Sequence, residues 1–201
     1  MRLEQVVNHI YSFKPDVVLE IGTWNAGMAK TMLNSGAKKY IGFDIFEEGS
    51  EELDDIENNA KKRVTEESVL ETLKDFDTEI IKGNSRETLR EYVKDKERFV
   101  DVALIDGGHS KATIKSDLMN LLNIMKDSGV IFLDDYYYNC PTPNIGAQCV
   151  MAELNIPYTV LPKVDKSRDG SLIKVARIDM QDVPRPSEWK MDGEETWRFV
   201  A

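Results

Sequence analysis

Five short apolar runs alternate with amphipathic or charged helical stretches, and this rhythm constrains the chain more than any other feature. The runs are "DVVLEIG" (16–22), "KYIGFDI" (39–45), "TEIIKG" (78–83), "FVDVALID" (99–106) and "GVIFLDD" (129–135). Strands apolar along their whole length are buried on both faces, which requires a parallel sheet with helices above and below. Val6, Ile10 and Phe13 mark an amphipathic helix ended by Pro15. Asn84 and Glu87 have the spacing of a capping box, and Ser110 is placed to cap "KATIKSDLMNLLNIM". After the fifth run comes a helix, "GAQCVMAELNI", then "PYTVLP" and "SLIKVARI" joined by "KVDKSRDG". That link is too short for a crossover helix, so the last pair is expected as an antiparallel hairpin. The expectation is an α/β chain with a seven-stranded, mostly parallel sheet, helices on both faces and a C-terminal antiparallel hairpin. It forms one domain over 1–201, with a charged helical insertion at about 47–75 and a polar tail at 179–201.

Composition narrows the function classes. The net charge of −10, without a basic stripe, disfavours a nucleic-acid partner, which clustered positive charge must meet. No apolar run approaches a membrane span, and the opening "MRLEQVVNHIYSF" mixes acid into helical spacing, unlike a signal peptide. Cys140 and Cys149 therefore read as free thiols of a cytoplasmic protein. Self-association into a homo-oligomer is left open, with Trp189 and Trp197 of the tail as candidates for a lid or a subunit contact.

Ligands of open parallel sheets bind outside the carboxyl ends of the strands. Those ends carry Glu20 with Gly22 and Gly27, Asp44, Asn84 with Ser85, Asp106 with His109, and Asp134 with Asp135. "EIGTWNAG" lacks the dinucleotide fingerprint G-x-G-x-x-G, since Trp24 takes the second glycine's place, and Glu20 makes the turn a poor host for pyrophosphate. A cationic ligand without phosphate suits these acids better. Asp44 suits a ribose diol, although it could equally cap a helix. His109 could serve as a base or merely pack on the next helix. Adjacent acids such as Asp134 and Asp135 repel unless a cation relieves them, and oxygen-only ligands favour magnesium, calcium or manganese. Tyr136, Tyr137 and Tyr138 would either shape a pocket or form an aromatic core patch.

Taken together, "VLEIGTWNAG", "IGFDI", "IKGNS", "VALIDGGHS…DL" and "SGVIFLDDY" resemble a class I S-adenosylmethionine-dependent methyltransferase. The likeness is to the branch with macrocin-type sugar O-methyltransferases and, more distantly, catechol O-methyltransferase. It covers roughly residues 15–175 and implies a Rossmann-like sheet with an antiparallel seventh strand. It also implies methyl transfer from S-adenosylmethionine to a hydroxyl of a small-molecule acceptor, assisted by a divalent cation such as Mg2+. Glu20, Gly22, Thr23 and Gly27 would surround the methionine part of the donor, Asp44 its ribose, and Asn84 and Ser85 its adenine. Asp106, Asp134 and Asp135 would hold the metal, Asp106 bordering the donor as well, and His109 would act as base. Gly107 and Gly108 are expected to turn the chain sharply, so that Asp106 faces the metal and His109 the acceptor. Two alternatives stand beside this: a non-catalytic donor-binding module, and a nicotinamide-dependent oxidoreductase on the same kind of sheet.

Overall fold

The computed structural model describes residues 1–58, 62–139, 142–167 and 170–184, and the backbone of 190–191 and 197–198. The apolar runs become strands β1 (Val17–Ile21), β2 (Lys39–Asp44), β3 (Thr78–Lys82), β4 (Val100–Ile105) and β5 (Met125–Tyr137). Helices α1 (Glu4–Phe13), α2 (Gly27–Asn34), α3 (Glu51–Glu57), α4 (Glu66–Leu73), α5 (Ser85–Tyr92), α6 (Lys111–Ile124) and α7 (Ala147–Leu154) alternate with them. Strands β6 (Thr159–Val160), β7 (Asp165–Lys166) and β8 (Leu172–Asp179) follow, and a two-residue pair, β9 (Lys190–Met191) and β10 (Trp197–Arg198), lies in the tail.

The sheet order is β3-β2-β1-β4-β5-β8-β6, with β7 paired to β8. β1 to β5 are mutually parallel, while β8 runs antiparallel to β5 and β6. The seven expected strands are all present, and β7, inside the expected hairpin link, makes the eighth. The connection from β3 to β4 crosses over β1, so the order reverses between β1 and β4, the switch point at which open sheets bind ligands.

The period of two divides the core into two layers. Leu19, Ile21, Ile41, Phe43, Ala103 and Ile105 point to the side covered by α5, α6 and α7. Val18, Tyr40, Val102 and Leu104 point to the side holding Val6 and Ile10 of α1 and Met32 of α2. Phe13, expected on the apolar face of α1, is instead 45% exposed and stacks on His9, because α1 ends there. The insertion is better anchored than its charge implies: Phe46, Val69 and Leu73 are buried in the second layer. Asn84 caps α5 by accepting from the Arg86 amide at 3.1 Å, and Ser110 caps α6 by accepting from the Thr113 amide at 3.2 Å.

Two expectations about local geometry change. Asp134 and Asp135 do not end β5. They form a bulge inside it, where the register to β8 shifts between Leu133 and Tyr136 and Asp135 takes a φ of 53°. Gly107 and Gly108 are not in the left-handed region that only glycine enters easily. They provide room instead: a Cβ on Gly107 would lie 3.1 Å from Ile21, and one on Gly108 would lie 2.5 Å from the Glu57 carboxylate. Cys149 is a free thiol, while Cys140 and Trp189, and the Trp197 side chain, lie outside the described residues. Among the described residues, no helix is long and apolar enough to cross a membrane.

Candidate active site

At the switch point, Gly22 leaves β1 with a φ of 96°, and its amide donates to the Phe43 carbonyl at 2.8 Å. A Cβ there would stand 2.1 Å from the Asp106 carbonyl oxygen, so only glycine lets the β1 and β4 ends approach this closely. Beside this contact opens a cleft with about 870 Å³ of open space, its mouth included. Gly22, Asp44, Asn84, Ser85 and Asp106 line it from the sheet side, and Leu53, Glu57 and Val64 line it from the insertion.

Asp44 ends β2 as a latch. One oxygen accepts from the Trp24 amide at 2.7 Å and the other from the Phe46 amide at 2.7 Å, leaving one lone pair on each for a ligand. Three of the residues expected around the donor, Glu20, Thr23 and Gly27, lie off the cleft wall. Glu20 shares the Val18 face of β1, so its carboxylate points into the layer of α1 and α2, where it accepts from the Tyr40 hydroxyl at 2.5 Å. Thr23 joins this buried group through the same hydroxyl at 2.9 Å. Burial first, then the Glu20 charge, hold the Tyr40 phenol well above its ordinary pKa. Gly27 opens α2, its amide donating to the Asn25 side chain at 3.0 Å, and lies off the cleft wall.

Beyond Asp106 the cleft meets an acid cluster. One carboxylate oxygen each from Asp106, Asp134 and Asp135 lies within 4.8 Å of the others. Two of these acids already have basic side chains of the chain itself as neighbours. The Arg2 guanidinium donates to both oxygens of Asp134, at 2.6 and 2.7 Å, and lies 3.7 Å from Asp135. The His109 Nε2 stands 3.0 Å from the other Asp135 oxygen. Burial and the charge of Asp135 push the Asp134 carboxyl up despite Arg2. Burial is the largest influence on Asp135 and opposes its charge, but His109, Arg2 and the Tyr137 hydroxyl together outweigh it and hold the Asp135 carboxyl below its usual value. The His109 Nδ1 lies 3.3 Å from the Asn58 carbonyl oxygen, a contact that is a hydrogen bond only in the form with a proton on Nδ1.

Sequence reasoning missed Arg2 and Glu57. Glu57, at the end of α3, accepts from the Ser110 amide at 2.7 Å, the Ser110 hydroxyl at 2.9 Å and the Thr113 hydroxyl at 2.6 Å. It thereby docks the insertion on the start of α6 and closes the cleft wall. The Trp24 indole, donating to the Lys62 carbonyl at 2.8 Å, holds the insertion from the other side. Glu57 is one acid among many in its stretch, and no spacing singles it out. Tyr136, Tyr138 and Tyr158 form an aromatic group, with Tyr138 59% exposed, rather than a buried core patch.

Asp117 lies one turn beyond Thr113, fully buried, and among the described residues neither of its oxygens meets a donor in full hydrogen-bond geometry, Ser85 interacting with it only weakly. Burial, reinforced by the Glu57 charge, pushes its carboxyl from 3.8 up to about 7, while Ser85 and Arg86 pull the other way. An acid raised on folding binds its proton more tightly in the native state. Stability is therefore expected to fall as pH rises from about 4 to about 7, and to level off above that. Roughly three pH units correspond to about 4 kcal/mol. Asp117→Asn should flatten this slope in urea unfolding measured across that range, and an unchanged slope in the variant would assign the effect elsewhere.

Comparison with known proteins agrees with this geometry. The family model of a methyltransferase domain matches residues 19–136, more than half of the chain. No curated protein matches the chain in sequence. Among solved structures, an O-methyltransferase from Bacillus cereus in complex with SAH shares 17% identity at a TM-score of 0.61, covering 88% of this chain and 79% of its own. Cofactor-bound Rv0187 from MTB shares 16% at 0.63, covering 89% and 79%. The N-methyltransferase NodS from Bradyrhizobium japonicum shares 13% at 0.59, covering 89% and 93%. At such identities the structural likeness is one of fold. The family match runs from the middle of β1 to the acids of β5, through every strand that builds the cleft, and the chain belongs to the methyltransferase domain family.

Proposed function

We propose that this protein moves a methyl group from S-adenosylmethionine to a hydroxyl of a small sugar or phenol, with a divalent cation, magnesium by preference, at Asp106, Asp134 and Asp135. One observation carries the reading: Asp106 belongs both to the cleft wall and to the acid cluster, so a donor in the cleft and an acceptor at the cluster would meet there. The fold relatives solved with SAH or with a cofactor support the choice of donor.

The residues fit both groups. The free lone pairs of Asp44 suit the two hydroxyls of a ribose, and Asn84 and Ser85 border the same cleft further along. Bound there, S-adenosylmethionine supplies a methyl group already activated on a sulfonium. The protein's work is then to position, desolvate and deprotonate. Three carboxylates are hard oxygen donors of the kind magnesium and manganese prefer, and the bound ion supplies a Lewis acid that lowers the pKa of a nearby hydroxyl. The acceptor needs that help, since even a phenol titrates near ~10.

His109 is oriented for the proton. Asp135 fixes the ring through Nε2, while the Nδ1 contact to the Asn58 carbonyl is the longer one and the easier to exchange for a substrate hydroxyl. Asp135 would then stabilise the imidazolium formed when Nδ1 takes the proton. The insertion, docked through Glu57 and Trp24, walls the donor side of the cleft. The net charge of −10 favours a small acceptor over a nucleic acid.

Asp44 tests the donor assignment. Asp44→Ala should weaken S-adenosylhomocysteine binding by about 1.5–3 kcal/mol, the scale of hydrogen bonds to a charged group. Calorimetry showing unchanged affinity would remove Asp44 from the donor site.

A further inference from the structure

We propose that Arg2 is a built-in counter-ion of the acid cluster that competes with a divalent cation for Asp134, and so sets how tightly the site takes metal. The inference rests on the metal reading above and concerns what opposes it. Asp134 has a fully buried side chain, and both of its oxygens accept from one guanidinium in a bidentate pair. A fork of this kind is the strongest arrangement available to a carboxylate and an arginine. The same guanidinium reaches towards Asp135, so the positive charge sits between two of the three acids expected to ligate the ion.

Arg2 is held at the cluster by more than the cluster. Its amide donates to Asp165 at 3.0 Å, and its Nη1 donates to the same oxygen at 3.3 Å. Gln5 accepts from the Lys163 amide at 3.1 Å, and Glu4 pairs with the Lys163 ammonium at 2.6 Å. Residues 2–5 are thus tied to the segment that leads into β7, and the arginine lies across the bulge of β5 with only 19% of its side chain exposed. A dication placed among these carboxylates would meet a fixed positive charge within a few ångströms, in a setting where water screens little. Entry of metal requires the guanidinium to leave Asp134, and a bound Arg2 lowers metal affinity by the cost of displacing it. Thermodynamic linkage makes the coupling reciprocal: metal must loosen the Arg2 segment by as much as Arg2 weakens metal.

The test is Mn2+ binding, followed by calorimetry and by electron paramagnetic resonance, with no acceptor or turnover involved. Arg2→Gln should bind Mn2+ more tightly than the parent, about tenfold or more, within the ~5–150-fold range common for coupled sites. Asp165→Asn leaves Arg2 in place but removes its second anchor. It should shift affinity in the same direction by less, and it carries the test if Arg2→Gln fails to fold. In the parent protein, Mg2+ should speed hydrogen exchange at the amides of residues 2–5. Equal Mn2+ affinity in the parent and both variants, with exchange unmoved by Mg2+, would overturn the competition and leave the metal site standing. No Mn2+ binding by any of the three would overturn the metal reading and the competition together.

Discussion

His109→Ala should lower methyl-transfer turnover by about 10²–10⁴-fold, the usual cost of losing a general base, while donor affinity stays nearly intact. The separation follows from position. His109 contacts Asp135 and the Asn58 carbonyl, and it is absent from the wall of the cleft that Gly22, Asp44 and Ser85 build. A purely structural partner of Asp135 would also be lost in the alanine variant, so a second substitution is needed. His109→Gln keeps a donor within reach of Asp135 but offers no basic nitrogen. If the glutamine variant is as slow as the alanine variant, the ring acts on a proton. If glutamine restores turnover, His109 is a neutralising neighbour of Asp135 and the base must be sought among other groups facing the acceptor.

The strands and the sheet edge where the cleft opens were legible in the sequence for a simple reason: each signal was local. Apolar runs marked the strands, and acids at their ends marked the edge where ligands bind. Asp44, Asn84, Ser85, Asp106, Asp134 and Asp135 all reach that edge. Glu20, expected beside the donor, lies off the cleft wall, because position along a strand says where an acid lies, but only the period of two says which way it points, and it shares a face with Val18. The glycines after Asp106 were read as conformational and prove to be steric, which depends on Ile21 and Glu57 packing against them. Arg2 was invisible for a deeper reason. Its partners are Asp134 and Asp165, more than a hundred residues away along the chain, and nothing in a lone arginine near the start of the sequence points to either.

Chelation is expected to abolish activity reversibly, and the structure sharpens how this should be checked. Three carboxylates this close repel one another, and the sequence suggested that a cation, most simply a metal, would relieve them. Arg2 and His109 partly do so, which means that the fold does not need the ion to hold its acids together. Removing metal should therefore cost activity far more than stability, with a melting temperature that moves little while turnover disappears. Asp135→Asn should weaken metal binding without unfolding the chain, since Asp135 is held by side chains at a bulge that remains formed. Asp134→Asn should also weaken the metal, but at an added cost in stability, because it breaks a buried bidentate pair and leaves Arg2 with weaker partners. Breaking such a pair costs up to about 3–5 kcal/mol, and Asp165 would recover part of it. Donor binding should hardly respond to chelator, because the donor's expected contacts lie with Gly22, Asp44 and Ser85. Full turnover in excess chelator would sink the metal role, and Arg2 would then be the only cation that the Asp134 carboxylate requires.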